Sequence, residues 1–240
     1  MANPNCHSLV TCLVAIDGPV ASGKTAVGRA LAQRLGWRLF DTGVMYRAAT
    51  WHALRNQVHL DEAESVAELI REAEIVLRPN GTSGAELDIF VNGDPATPHL
   101  RQPAVESAVP VVAAIAEVRE LLVAQQQRQS AQGRLVVVGR DIGTVVLPDA
   151  PVKIFLTASE EVRAQRRAIQ TNQESESEAV LRATRQRDRR DRGRAASPLV
   201  AADDAVTLDT SELSLDESVD AAEQIIRDRL DALGHAGETS

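Results

Sequence analysis

Gly18-Pro19-Val20-Ala21-Ser22-Gly23-Lys24-Thr25 is the stretch whose reading decides the fold. It matches G-x-x-x-x-G-K-[ST], a pattern that carries weight only between a strand and a helix. Both flanks are present. Leu13-Val14-Ala15-Ile16 is an unbroken apolar run before it, and Ala26 to Leu35 has helical periodicity after it. Gly18 and Gly23 let the backbone turn tightly, so that successive N–H groups point inward at phosphate oxygens. A helix beginning near Gly23 adds the positive end of its dipole. Lys24 reaches the outer phosphates as a point charge, and the Thr25 hydroxyl is placed to ligate Mg²⁺. Among 26 lysines and arginines, only Lys24 and Lys153 are lysine, so the placement of one here is not casual. The motif implies binding of a nucleoside triphosphate and leaves open what receives the phosphate.

Length and composition bound the rest. The chain's 240 residues give room for one large domain, or a core with one or two inserted subdomains. Hydrophobic residues make up 44% but aromatics only 2%, so the core is built of Ala, Val, Leu and Ile. A formal net charge of −8 argues against a general binder of nucleic acid or membrane surface. No apolar run approaches the roughly 18–20 residues of a membrane span. Met1 to Ser8 lacks the charged and apolar regions of a secretory signal. A disulfide between the neighbours Cys6 and Cys12 would fix almost nothing, so reduced thiols and a cytoplasmic protein are expected.

Taken in order, residues 1–10 form a loose leader and 11–17 a buried central strand, since apolar residues run without alternation. A helix follows at 23–35, a short strand at Trp37–Phe40, and a helix from Gly43 to about Asn56. From about Asp61 the texture changes. An acidic amphipathic helix, Glu62–Glu74, precedes two strands, Ile75–Arg78 and Glu86–Val91, separated by a loop from Pro79 to Gly84. Val105 to Ala131 is one long helix or two joined near Pro110. Strands at Arg134–Val138 and Val152–Leu156 come next, then Ser159 as a helix N-cap with Glu160 and Glu161 in the first turn. A polar turn at 170–178 leads into an arginine-dense helix, 178–194. Ala205–Asp209 is the last strand, Ser214–Leu233 a closing helix, and Gly234–Ser240 a tail. Apolar strands alternating with helices mean a parallel sheet covered on both faces, with ligands beyond the carboxyl ends of the strands. Three polar clusters fall at such ends: Asp17–Thr25, Asp41–Arg47 and Gly139–Thr144.

The later clusters suit anions. Thr42 and Arg47 are able to hold a phosphate, and Tyr46 to line a base pocket. Arg140-Asp141 sets opposite charges side by side at the end of a buried strand. Between Arg182 and Arg194, seven of thirteen residues are Arg. Arg187, Asp191 and Arg194, with Arg190 adjacent, share one helical face; Arg185, Arg189 and Arg192 share another. Only Asp188 and Asp191 lie within the run to balance these charges, so an anion is expected there.

At this point the residues resemble a known family, the bacterial cytidylate kinases among the P-loop nucleoside monophosphate kinases. The resemblance rests on Ile16-Asp17-Gly18-Pro19 with Gly23-Lys24-Thr25, on Asp41 to Arg47, on Val118-Arg119-Glu120, on Gly139 to Leu156, and on Arg187 to Arg194 with Pro198-Leu199. These occur in the family's order and spacing from about residue 12 to 232. The resemblance implies an α/β fold with a five-stranded parallel sheet flanked by helices. Its core would be 11–60, 111–158 and 197–233, its monophosphate-binding insert 61–110, and its arginine-rich lid 159–196. It implies ATP-dependent, Mg²⁺-dependent phosphorylation of CMP and dCMP by a cytoplasmic monomer. Gly18 to Ala26 would hold the ATP phosphates. Thr42, Arg47, Arg140 and Arg187 would hold the CMP phosphate, Arg187, Asp191 and Arg194 its sugar, and Arg119 and Asp141 its base. Lys24, Arg140 and the lid arginines Arg187, Arg190 and Arg194 would neutralise charge during transfer.

Chemistry agrees with the base readers. Cytosine offers an amino donor where uracil offers a carbonyl, so an ionised Asp141 accepts from one and repels the other. Two departures stand out. Pro110 occupies a place where the family commonly has a base-contacting Ser. Thr25 directly follows the lysine, so either the Mg²⁺-ligating hydroxyl sits one place earlier or water does more of the coordination. Kinases of another monophosphate remain the nearest alternative. A nucleic-acid module using the arginine helix is the alternative of a different class, disfavoured by net charge and by scarce stacking aromatics. No Asn precedes either lysine, so the guanine-reading Asn-Lys-x-Asp pattern is absent.

Overall fold

The computed structural model describes residues 13–80, 86–131, 133–194 and 197–237. The expectations for the leader, for Cys6 and Cys12, and for Gly81 and Gly84 fall outside these residues. Two compact units divide the chain, one of residues 1–37 with 133–240 and one of residues 38–132.

The first unit opens with β1 (Leu13–Asp17) and α1 (Lys24–Leu35). The second holds β2 (Arg38–Asp41), α2 (Gly43–Arg55), α3 (Ala63–Glu72), β3 (Ile75–Asn80), β4 (Glu86–Val91), β5 (Asp94–Pro95), α4 (Pro103–Val112) and α5 (Ala116–Ser130). The chain then returns to the first unit with β6 (Leu135–Val138), β7 (Val152–Thr157), α6 (Glu160–Thr171), α7 (Ser177–Arg192), β8 (Val206–Asp209) and α8 (Leu215–Gly237). Five strands form a parallel sheet in the order β2-β6-β1-β7-β8. β1 pairs in parallel with β6 on one side and β7 on the other, Ala15 facing Val137 and Lys153 in register. β8 pairs in parallel with the far side of β7. All of β1 and β6 is buried, which is why their sequences run apolar without alternation.

Local signals set the helix ends. Gly23, at φ +97°, starts α1, and Gly36, at φ +66°, stops it. The Trp37 N–H reaches back to the Ala32 carbonyl at 2.8 Å, satisfying a carbonyl the helix would leave open. Ser159 caps α6, its Oγ accepting from the Val162 N–H at 3.3 Å. Ser214 and Glu217 cap α8 reciprocally: the Ser214 N–H donates to Glu217 Oε2 at 2.8 Å and the Glu217 N–H to Ser214 Oγ at 3.2 Å.

Several expectations change in detail. The hairpin of the second unit gains a third strand, since the left-handed pair Asn92-Gly93 (φ +52° and +84°) turns β4 back into β5. Pro79 lies within β3, at the edge of the order β3-β4-β5, where a missing N–H is tolerated. The 105–131 segment is two helices, but Pro110 sits inside α4; the chain breaks after it, where Ile115 is extended. α8 continues to Gly237, past the expected start of the tail. Residues Ile142–Val146 form a single π-helical turn, with the Val146 N–H reaching the Asp141 carbonyl at 3.1 Å.

Candidate functional site

The loop after β1 is shaped by close approach. A Cβ on Gly18 would stand 2.0 Å from the Leu156 carbonyl oxygen, so β7 leaves room there for hydrogen alone. Ala21 keeps a side chain at φ +57°, a conformation costing roughly 1 kcal/mol for an L-residue. Strain of that kind persists where the surroundings over-determine it. Lys24 turns its ammonium back over the loop, donating to the Pro19 carbonyl at 2.6 Å and to Ser22 Oγ at 3.3 Å. From outside, α6 grips the loop's carbonyls. Arg163 Nη1 donates to Val20 O at 3.2 Å and Arg166 Nη1 to Ser22 O at 3.5 Å. A trans peptide points its N–H away from its C=O, so these contacts turn the Ala21 and Gly23 amides to the opposite side. Arg166 Nη2 also donates to the Thr210 carbonyl at 2.8 Å, joining α6 to the loop after β8.

Arg140, at the end of β6, touches the same loop. Its Nη1 donates to Gly18 O at 3.2 Å and its Nε to Asp191 Oδ2 at 2.9 Å. Arg194 pairs with the other Asp191 oxygen. Asp191 is buried in α7; burial pushes its carboxyl upward, but Arg140 and Arg194 outweigh that and hold it below the ordinary range. Asp141 is buried beside Asp17, whose carboxylate accepts from the Ile142 N–H at 2.8 Å and the Gly143 N–H at 2.7 Å. Burial raises the Asp17 carboxyl to about 6; the two amide bonds oppose this, Asp141 adds to it, and Lys24 opposes it more weakly.

The arginine helix divides differently from its expected faces. Thr184, Asp188 and Asp191 form its buried side. Arg187 lines a cavity of about 330 Å³ with Val20 of the loop, Thr184, Arg167 and Thr171. Arg190, three residues after Arg187, is exposed, one helical step from the buried stripe. The charge is also balanced from elsewhere. Asp188 pairs with Arg163 of α6 at 2.7 Å, both side chains 5% exposed or less. Arg185 pairs with Glu160 at 2.6 Å. Part of the counter-charge expected from a ligand is therefore supplied by α6.

In the second unit, Thr42 is buried at the N-terminus of α2, and Tyr46 is buried one turn on. Arg119, in the first turn of α5, lies over the Tyr46 ring at 5.3 Å and donates from Nη1 to the Ala113 carbonyl at 3.3 Å. Arg47 donates from Nε to Glu106 Oε1 of α4 at 3.2 Å. Its Nη1 passes over Gly43, where a Cβ would stand 3.1 Å from it and 3.1 Å from Asp41 Oδ1.

The arrangement suits phosphate chemistry. Thr25 is half-buried in the first turn of α1 beside Lys24. The described residues hold no cluster of three or more His, Cys, Asp or Glu able to cage a metal. A hydroxyl next to a phosphate loop fits Mg²⁺ carried by phosphate oxygens, an ion that keeps much of its water. Sequence reading placed Asp17 at the end of the first strand without giving it a role, and passed over Arg163, Arg166 and Thr210. Asp17 and the arginines had a signal, a charge at the end of an apolar strand and in a helix starting beside the loop. Thr210 had none.

The cytidylate kinase family model matches residues 14–228. The cytidylate kinase of Rhodococcus opacus (strain B4) is 47% identical over 222 residues, covering 90% of this chain and 95% of that one. That of Rhodococcus jostii (strain RHA1) is 46% identical, covering 92% and 96%. That of Nocardia farcinica (strain IFM 10152) is 45% identical, covering 91% and 94%. With a phosphate loop at the end of its central strand and near-full-length matches on either side of it, the chain belongs to the cytidylate kinase family.

Proposed function

We propose that the chain transfers the γ-phosphoryl group of ATP to CMP or dCMP, giving ADP and CDP or dCDP. An oxygen of the CMP phosphate attacks Pγ, the bond from Pγ to the β,γ-bridging oxygen breaks, and ADP leaves. The observation that carries the proposal is the contact of Arg140 with Gly18 O at 3.2 Å. It sets an arginine suited to an acceptor phosphate against the loop suited to the donor's phosphates. Gly18 to Ala26 hold the ATP phosphates through backbone amides, with Lys24 on the outer ones. Mg²⁺, when bound, neutralises charge on the β- and γ-phosphates, and Thr25 is the hydroxyl that would reach it. Thr42, Arg47 and Arg140 take the acceptor phosphate, Asp191 and Arg194 its sugar, and Asp141 and Arg119 its base, with Tyr46 backing Arg119. Arg187 and Arg190 belong to a lid of residues 159–196, and 61–110 to the monophosphate-binding insert. Both substrates meet on one chain, acting as a cytoplasmic monomer that binds neither nucleic acid nor membrane. Among the described residues no helix is long and apolar enough to cross a membrane.

Charge reversal at Asp141 tests the base reader. Asp141→Lys is expected to lower kcat/KM for CMP by about a hundredfold or more relative to UMP, while ATP affinity measured by calorimetry stays the same. An unchanged CMP-to-UMP ratio in a folded variant would remove Asp141 from the base pocket.

A further inference from the structure

Asp17 is the last residue of β1, 5% exposed, and its neighbour Gly18 opens the phosphate loop. Its two carboxylate oxygens accept the amides of Ile142 and Gly143 at 2.8 and 2.7 Å, the first two residues of the π-helical turn that follows Arg140-Asp141. Lys153 of β7 packs against the same turn. The Lys153 ammonium is fixed to the Pro148 carbonyl and to Asp204 at 2.9 Å. Its stem lies against Gly143, where a Cβ would stand 3.1 Å from Lys153 Cδ and 3.4 Å from Asp17 Oδ2. One amide of the turn is thus clamped between a carboxylate and an aliphatic stem. Burying a carboxylate is costly, and holding a turn in place by packing alone would avoid that cost. What the carboxylate adds is direction: two short bonds from one rigid group fix both position and orientation.

We propose that Asp17 is a positioning residue for the phosphate acceptor, its paired amide bonds setting Arg140 and Asp141 relative to the phosphate loop. This rests on the assignment of Arg140 and Asp141 to the acceptor made above. The ionised carboxylate accepts both amides most strongly; protonation puts an O–H on one oxygen and weakens it as an acceptor. The charged groups acting on it are Asp141, just before the turn, and Lys24 from α1, and burial dominates them in raising its carboxyl to about 6. The clamp is therefore complete at neutral pH and slackens in mild acid.

Two variants of the full chain test this, Asp17→Asn, which keeps one acceptor and opposes the second amide with an NH₂, and Gly143→Ala, which pushes the turn from the Lys153 side. Thermal melting first establishes that each is folded. In either, KM for CMP is expected to rise about tenfold or more while KM for ATP–Mg²⁺ changes less than about threefold. In Asp17→Asn the acid limb of kcat/KM for CMP is also expected to flatten between about pH 5 and about pH 7.5, against a limb from CMP's own phosphate common to both proteins. An unchanged KM for CMP in the folded variants, or equal rises for both substrates, would overturn the proposal. Calorimetric binding of CMP and of ATP gives the same split without turnover. A wild-type chain that binds CMP but transfers nothing to it would contradict the kinase reaction and leave the positioning role to be judged on affinity alone.

Discussion

At the scale of single residues, Lys24 and Asp17 carry opposite burdens. Lys24 has its ammonium held inside the loop by Pro19 and Ser22. Lys24→Met keeps the stem and removes the charge, and kcat at saturating substrates is expected to fall about a hundredfold or more in a coupled ADP assay. A fall of less than about threefold would show that the charge on the phosphates is neutralised elsewhere. Asp17 lies in the interior, where ionisation is costly. Its folded carboxyl holds a proton up to about pH 6, whereas the unfolded chain releases it near 3.8. Between those values the folded chain binds more protons, so this group's contribution to stability falls as pH rises through the window. Asp17→Asn lacks that dependence. The unfolding free energy of wild type minus variant is expected to fall by on the order of 3 kcal/mol between about pH 4 and about pH 6, then level off. A difference that stayed flat would mean the carboxylate is not desolvated. Asp191 works the other way: its carboxyl is held low by Arg140 and Arg194 against its burial, so the stability it contributes is lost as pH falls below its ordinary value.

At the scale of elements, α6 and α7 are joined by the buried pair Arg163–Asp188, and Arg163 also holds Val20 of the loop. Asp188→Ala strands a buried guanidinium and is expected to cost about 3–5 kcal/mol by chemical denaturation. Glu178→Ala, which breaks the exposed pair with Arg182, is expected to change stability by less than about 0.5 kcal/mol. Comparable losses would mean that the buried pair is solvated. Much of this level was legible. The Ser159 cap, the start of α1 near Gly23 and the apolar strands each depend on a local rule, and the structure keeps them. The π-helical turn was not legible, because nothing in Ile142-Gly143-Thr144 asks for it; the carboxylate that shapes it comes from a strand 125 residues earlier. The solvent-facing place of Arg190 was also hidden, since helical spacing alone does not say which stripe of a helix rich in arginine is buried. Asp188 and Asp191 mark that stripe, and their partners Arg163 and Arg140 lie far away in sequence.

At the scale of the molecule, the phosphate-loop motif and the alternation of apolar strands with helices were together enough to read a parallel sheet. A strand running into a phosphate loop and helix is a half of a parallel α/β unit, and the order β2-β6-β1-β7-β8 puts that strand in the middle. The phosphate loop was equally plain, because its glycines answer to local geometry. The supporting residues were less so: Arg166 and Thr210 reach the loop only once β7, α6 and the loop after β8 are assembled. Linkage gives a reading of the whole chain. ATP–Mg²⁺ at about a hundred times its Kd is expected to add roughly 2.7 kcal/mol to stability, seen as a rise in melting temperature, and polyanionic DNA is expected to add none. The measurement that bears most directly on the central claim is ADP release with ATP–Mg²⁺ and CMP, dCMP, UMP, AMP, GMP or shikimate as acceptor. Turnover with CMP and dCMP far above UMP and the others is the expected result. Turnover confined to another acceptor, or none with CMP while ATP still binds, would contradict it.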